Sequence, residues 1–211
     1  MRQQISEILE KASGKRVLCI GDLMLDRYVY GDVGRVSPEA PVPVLRKTHS
    51  LEVPGGAGNV ARNLSALGIN TIMLGCVGDD EAGEQLAALL GSDPLIECQL
   101  AKTSAIKTVV KSRFIASTQQ LLRVDTEDDR PDMGPAGAVL ASAIAKAAPG
   151  ASAIIVSDYA KGTITPAIFT ACVEAARSAG IPLLVDPKSK DFSLYAGADL
   201  IKPNASELSG A

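Results

Sequence analysis

Five short apolar runs, each closing on polar residues, constrain this chain more than any other feature. Residues 17–20 (VLCI) close on Gly21 and Asp22, with Asp26 just beyond, and 71–77 (TIMLGCV) make a second run. Residues 154–156 end at Ser157, Asp158 and Tyr159, 183–185 at Asp186, and 200–201 at Lys202, Pro203 and Asn204. Runs apolar at successive positions read as strands buried on both faces. Helical patterns lie between them: Ala82, Leu86, Leu89 and Leu90 share one face, and Ala136, Val139, Leu140, Ala143, Ile144 and Ala147 share another. Thr165 caps a further helix, Pro166 occupies its first position and Gly180 ends it. This alternation predicts an α/β fold with a mostly parallel sheet. The carboxyl ends of parallel strands share one edge, so Asp22, Asp26, Asp158, Lys161, Asp186, Lys188, Asn204 and Glu207 should gather where ligands bind.

With 211 residues and 46% hydrophobic content, the chain can bury the core of one domain with an appendage. A net charge of -3 and 3% aromatic residues argue against nucleic-acid binding. No apolar run is long enough to span a membrane, and Arg2, Glu7, Glu10 and Lys11 are too charged for a secretory leader, so a cytoplasmic protein is expected. Cys19, Cys76, Cys98 and Cys172 stand singly in apolar segments and read as reduced, buried thiols. His49 is the sole histidine, which excludes multi-histidine metal sites.

Residues 54–68 (PGGAGNVARNLSALG) read as a glycine turn feeding a helix, with Asn59 opening an apolar periodicity through Val60, Leu64 and Leu67. The helix N-terminus suits an anion or a polyhydroxylated ligand; an ordinary tight loop fits the same residues. Gly56, Gly58 and Ala61 also satisfy a relaxed dinucleotide fingerprint, with Asp79 about twenty residues on. Residues 28–53 are short β-prone pieces (28–30 and 42–45) broken by Gly31, Gly34, Pro38, Pro41 and Pro43, as in an edge sheet or lid. Residues 104–114 alternate, with Ile106, Thr108, Val110 and Phe114 on one face and Lys107, Val109, Lys111 and Arg113 on the other. The basic face could hold a substrate phosphate or merely protect an exposed edge, and 120–125 could return as the hairpin partner, bringing Arg123 and Asp125 nearby.

The order of GDLMLDRY (21–28), PGGAGNVARNLSALG, SDYAKG (157–162), VDPK (185–188) and IKPNASE (201–207) resembles the ribokinase-like (PfkB) sugar kinases over nearly the whole chain. SPEAPVPV (37–44) together with QQLLRVD (119–125) is similar, more narrowly, to the heptose-7-phosphate kinases of lipopolysaccharide core synthesis, which occur alone or fused to an adenylyltransferase. The resemblance implies a three-layer sandwich with a small β-lid from 28–53 and 104–125, a lid-to-lid homodimer, and ATP and Mg²⁺ as cofactors. It implies that Asp26 holds sugar hydroxyls and that Gly55, Gly56 and Asn59 bind the sugar. It implies too that Lys202, Asn204, Ser206 and Glu207 serve the nucleotide, with Asp186, Asn204 and Glu207 holding magnesium through water. Lys111 and Arg113 are assigned to the substrate phosphate on their alternation.

Family members carry a glycine-rich anion hole and an aspartate base towards their C-terminus, and no GAGD-like segment occurs in this sequence. Residues 1–211 are therefore expected to be the N-terminal portion of one kinase domain, with no catalytic base among them and the base beyond Ala211. Three functions stay open: a kinase acting on the anomeric hydroxyl of heptose 7-phosphate or on another sugar or sugar phosphate, a non-catalytic sugar-phosphate-binding module, and a nicotinamide-dependent oxidoreductase.

Overall fold

A computed structural model describes residues 2–128 and 132–209. In chain order its elements are α1 (Arg2–Ala12), β1 (Arg16–Gly21), β2 (Leu23–Val36), β3 (Pro43–Gly56), α2 (Ala57–Ala66), β4 (Asn70–Gly78), α3 (Glu81–Gly91) and β5 (Ile96–Thr103). There follow β6 (Val109–Ala116), β7 (Gln119–Thr126), α4 (Ala136–Ala147), β8 (Ala153–Ser157), α5 (Pro166–Ala179), β9 (Leu183–Asp186), β10 (Leu200–Ile201) and α6 (Ala205–Leu208). The five apolar runs, joined by β5 at one edge, form one parallel sheet in the order β10-β9-β8-β1-β4-β5. Leu18, Ile20, Leu74, Ile154 and Val156 point to α4 and α5, packing on Leu140, Ile144, Ile168 and Cys172. Cys19 and Met73 point the other way, to Ala57, Ala61, Leu86 and Leu90 of α2 and α3. Each large aliphatic side chain so enclosed contributes about 1.5–3 kcal/mol. The result is the expected three-layer sandwich. Thr165 and Gly180 cap α5 as the sequence predicts, Gly180 with φ 64°.

A second sheet, in the order β3-β2-β6-β7, rises from the carboxyl edge of the first. Its strands are longer than the broken pieces expected within 28–53: β2 and β3 are 14 residues each and begin and end at the parallel sheet. The proline-rich segment survives as a strand because β3 lies at the sheet edge, where Pro43 and Pro54 sacrifice no interior ladder bond. Of 104–125, residues 104–108 are a turn and loop rather than strand, and β6 starts at Val109. The hairpin partner expected at 120–125 forms as β7, across a tight turn with Ser117 at φ 53°.

Two further expectations change. The helix begins at Ala57, not Asn59, since Gly55 and Gly56 still belong to β3 and Gly56 (φ 58°) turns the chain into α2. Its buried face is Ala57, Gly58 and Ala61, while Leu67 is exposed, because small residues let α2 lie against Pro54 and Leu23. The glycines thus follow an antiparallel lid strand instead of the first parallel strand, which removes the dinucleotide reading. Strand β5, absent from the sequence reading, carries Glu97, Gln99 and Lys102 at the open edge of the parallel sheet.

Cys19, Cys76 and Cys172 are buried and Cys98 half-buried, all free thiols. Among the described residues no helix is long and apolar enough to cross a membrane.

Candidate active site

The chain passes from β1 to β2 through a single residue, Asp22, which is fully buried. Its carboxylate accepts from three backbone N–H groups of the loop after β8: Tyr159 at 2.7 Å, Lys161 at 3.0 Å and Thr163 at 2.9 Å. Asp22 is therefore a clamp that shapes the 158–163 loop. Ala160 in this loop adopts φ 55°, and its N–H is held by Asp158 Oδ1 at 2.7 Å. Burial pushes the Asp158 carboxyl above its ordinary value, against the hydrogen bond donated by Tyr195 Oη at 2.6 Å. Tyr195 Oη in turn accepts from the N–H groups of Lys188 and Ser189, so one buried phenol orders the loop after β9.

Four residues further along β2, Asp26 emerges half-buried on the lid face above the glycines. A Cβ on Gly55 would collide with Asp26 Oδ2 and Met24, and one on Gly56 with the carbonyl of Asp22. Glycine at these two positions lets the Asp26 carboxylate lie over bare backbone beside the α2 N-terminus. Asn59, in the first turn of α2, is exposed.

Register puts Lys111 opposite Asp26 and Arg113 opposite Tyr28, so the basic side chains share the Asp26 face. Arg113 Nη1 donates to Asp26 Oδ1 at 2.5 Å, and its guanidinium lies 5.2 Å over the Tyr28 ring. Lys111 Nζ donates to Asp125 Oδ2 at 3.1 Å, and Arg123 Nε meets Asp125 Oδ1 at 2.9 Å. Desolvation opposes ionisation of Asp125, but the bonds from Lys111 and Arg123 prevail and hold its carboxyl below the ordinary value.

Along the same edge, Lys202 Nζ meets Asp186 Oδ1 at 3.0 Å and Lys188 Nζ lies 3.7 Å from Glu207 Oε1. Asn204 and Glu207 form a reciprocal capping box on the short α6: Asn204 Oδ1 accepts from Glu207 N and Glu207 Oε2 from Asn204 N, both at 2.9 Å. Ser206 lies on α6 and contributes its carbonyl to Ser209. Among the described residues no three His, Cys, Asp or Glu side chains converge in a preformed metal cage. Asp186 and Glu207 Oε1 fit a magnesium ion that keeps most of its own waters, since carboxylate oxygen is its preferred donor.

Tyr159 follows β8 at this same edge; burial raises its phenol, and the charges of Asp186, Asp26 and Glu207 raise it further. The sequence reading missed Tyr159 as a site residue, although its position directly after the β8 run is the available signal. His49 lies on β3, stacked 4.6 Å from Tyr30, and has no catalytic triad geometry among the described residues. A groove of about 720 Å³ lined by Arg16, Glu97, Gln99, Val139 and Lys146 opens at the amino ends of the strands, away from this edge.

Comparisons with known proteins agree with this fold. Relatives include the Bifunctional protein HldE of Hyphomonas neptunium, 47% identical over 211 residues (100% of this chain, 43% of the relative), and that of Gluconacetobacter diazotrophicus, 50% identical over 196 residues (92% and 40%). The chain thus spans less than half the length of the curated relatives it matches. Among solved structures, phosphofructokinase-2 from Escherichia coli shares the fold with a TM-score of 0.69 at 23% identity (92% of this chain, 62% of that one). Arabidopsis thaliana ribokinase, complexed with ribose and ATP, does so with a TM-score of 0.63 at 17% identity (94% and 62%). Residues 15–211 match the pfkB family carbohydrate kinase model, and the chain belongs to that family.

Proposed function

We propose that this chain binds D-glycero-β-D-manno-heptose 7-phosphate for phosphoryl transfer from ATP to the anomeric hydroxyl, giving the 1,7-bisphosphate for ADP-heptose and lipopolysaccharide core synthesis. The observation that carries the reading is that Asp26, lying on glycine backbone and braced by Arg113, rises from the carboxyl edge of the parallel sheet at which Asp186, Lys202 and Glu207 also stand. In the transfer a bond forms between the sugar O1 and the γ-phosphorus, the bond to the ADP oxygen breaks, and the hydroxyl proton leaves to a base. No residue of this chain is proposed as that base. Asp26 accepts hydrogen bonds from sugar hydroxyls while Gly55, Gly56 and Asn59 supply backbone and amide contacts. Lys111 and the unused N–H groups of Arg113 take the substrate phosphate.

Lys202, Asn204, Ser206 and Glu207 stand on the nucleotide side, with Asp186, Asn204 and Glu207 as magnesium-associated oxygens. Magnesium, when bound with ATP, neutralises charge on the transferring phosphoryl group. Exposed Leu122 and Val124 on β7, with Val33 and Val36 on β2, support a homodimer joined through the lids of a cytoplasmic enzyme. Calorimetric titration with heptose 7-phosphate, ATP and NAD tests the reading: binding of NAD without affinity for the sugar phosphate would overturn it. Light scattering at micromolar concentration tests the dimer, which a monomer would refute.

A further inference from the structure

Glu127, the first residue after β7, reaches from the lid to two lysines on different parts of the molecule. Lys161 Nζ, from the Asp22-clamped loop after β8, donates to Glu127 Oε1 at 2.8 Å. Lys111 Nζ, from β6, lies 3.8 Å from Glu127 Oε2, outside hydrogen-bonding distance. The Oε2 atom is shielded from solvent and accepts no hydrogen bond among the described residues. All three side chains are largely enclosed, with exposures of 26% for Lys161, 16% for Lys111 and 28% for Glu127.

This arrangement is poorly matched. Lys111 Nζ donates to Asp125 Oδ2 at 3.1 Å, while Glu127 satisfies Lys161 with one oxygen and leaves the other, nearest Lys111, unbonded; an unmet hydrogen-bonding group of this kind is destabilising. A phosphate monoester carries close to two negative charges and three acceptor oxygens, enough to meet both ammonium groups at once. The scaffold beneath Lys161 is fixed in advance, because its own N–H is bonded to Asp22 at 3.0 Å and Ala160 holds a left-handed conformation. Lys111 rises from the strand position paired with Asp26 and so shares the Asp26 face, and Glu127 joins Lys161 to it.

We propose that Lys111 and Lys161 form a cradle for the phosphate group of the substrate, and that Glu127 is a resident carboxylate which that phosphate displaces. Lys161 is thus a phosphate-specificity residue contributed by the body of the domain, and Glu127 a built-in competitor that lowers affinity for phosphorylated ligands. The inference rests on the sugar-phosphate reading above and adds to it a second anchor and a competing anion.

The test is calorimetric titration of the full chain with heptose 7-phosphate, unphosphorylated heptose and inorganic phosphate, in wild type, Lys161→Met, Lys161→Arg and Glu127→Gln, with circular dichroism melts to confirm folding. Lys161→Met should weaken heptose 7-phosphate and inorganic phosphate by about tenfold or more and leave unphosphorylated heptose within about twofold. Lys161→Arg should restore most of that loss, and Glu127→Gln should tighten both phosphorylated ligands several-fold. Equal weakening of both heptoses by Lys161→Met, or unchanged or weaker phosphate binding in Glu127→Gln, overturns the cradle and leaves a plain lid-to-body tether. If wild type binds neither heptose, the sugar reading falls, and inorganic phosphate alone decides the cradle: dependence on Lys161 keeps it, independence removes it.

Discussion

Arg113 closes on Asp26 across 87 residues of sequence, Nη1 to Oδ1, with its guanidinium over the ring of Tyr28. The parallel register of β2 and β6 produces this contact, because it pairs Arg113 with Tyr28, two positions from Asp26 and so on the same face. The bond and the charge of Asp26 outweigh desolvation and hold the guanidinium pKa above its ordinary value, so the pair is a charge-assisted brace that aims the Asp26 carboxylate.

Arg113→Ala should therefore weaken heptose 7-phosphate binding by about 2 kcal/mol, the cost of one charge-assisted contact. ATP affinity should stay nearly constant. Calorimetry on the two ligands separates these effects, and an equal loss for phosphorylated and unphosphorylated sugar would assign Arg113 to Asp26 alone.

Gly55→Ala tests the bare backbone under Asp26. The new methyl meets Asp26 Oδ2 and Met24, so the carboxylate must move or the strands must part. A loss of about 1–3 kcal/mol in stability is expected, as for other overpacked sites, together with loss of sugar binding. Chemical denaturation and titration of the same variant measure the two; unaltered sugar affinity would mean that Asp26 does not hold the ligand from this position.

Asp22→Asn should cost about 2–4 kcal/mol, since an amide offers one acceptor where a carboxylate now serves three backbone donors in a buried position. Hydrogen exchange should rise first at Tyr159, Lys161 and Thr163. Protection unchanged at these amides would remove the clamp.

Alkaline pH should destabilise the fold. Burial pushes the thiols of Cys19 and Cys172 from 9.0 up to about 12 and that of Cys76 up to about 11. Burial, followed by the hydrogen bond to Asp158, pushes the Tyr195 phenol from 10.0 up to about 12. Above pH 9 the unfolded chain releases these protons while the folded chain keeps them, so stability is intact below that pH and falls as pH rises towards 12. Denaturant titrations at pH 8, 9.5 and 11 should show the decline, with a shallower slope in Cys19→Ala/Cys172→Ala; a level profile would contradict it.

Strands β1 and β4 were legible because they are buried on both faces and so are written as unbroken apolar runs; β8, β9 and β10 carry shorter runs of the same kind, although Leu200 of β10 is exposed. The lid was legible only as a lid. Gly31 and Gly34 interrupt the pattern of β2, and Pro43 and Pro54 that of β3; glycine is accommodated at Gly31 by close approach to the Arg46 carbonyl and proline by the edge position of β3. Strand β5 was hidden by Glu97, Gln99 and Lys102, which an edge strand can carry without cost. Lys111 and Arg113 were singled out by alternation and Asp26 by its place just after the first strand, but their pairing, and that of Glu127 with Lys161, depends on which strands become neighbours. Asp22 and Asp26 look alike in sequence, and burial separates a carboxylate spent on three backbone donors from a half-buried one that meets the Arg113 side chain.

The handover from β1 to β2 through one buried residue, and from β3 to α2 through Gly56, leaves no slack on that side of the lid. A lid rooted in this way cannot swing like a door on a pin; it must flex like a leaf spring, most readily where the β2–β3 ladder slips register after Tyr30 and again after Val33. Any load applied at the tip is delivered as torsion to the central strand of the body and to the first turn of α2. Movement of the lid face and of the carboxyl edge of the parallel sheet is thereby coupled mechanically.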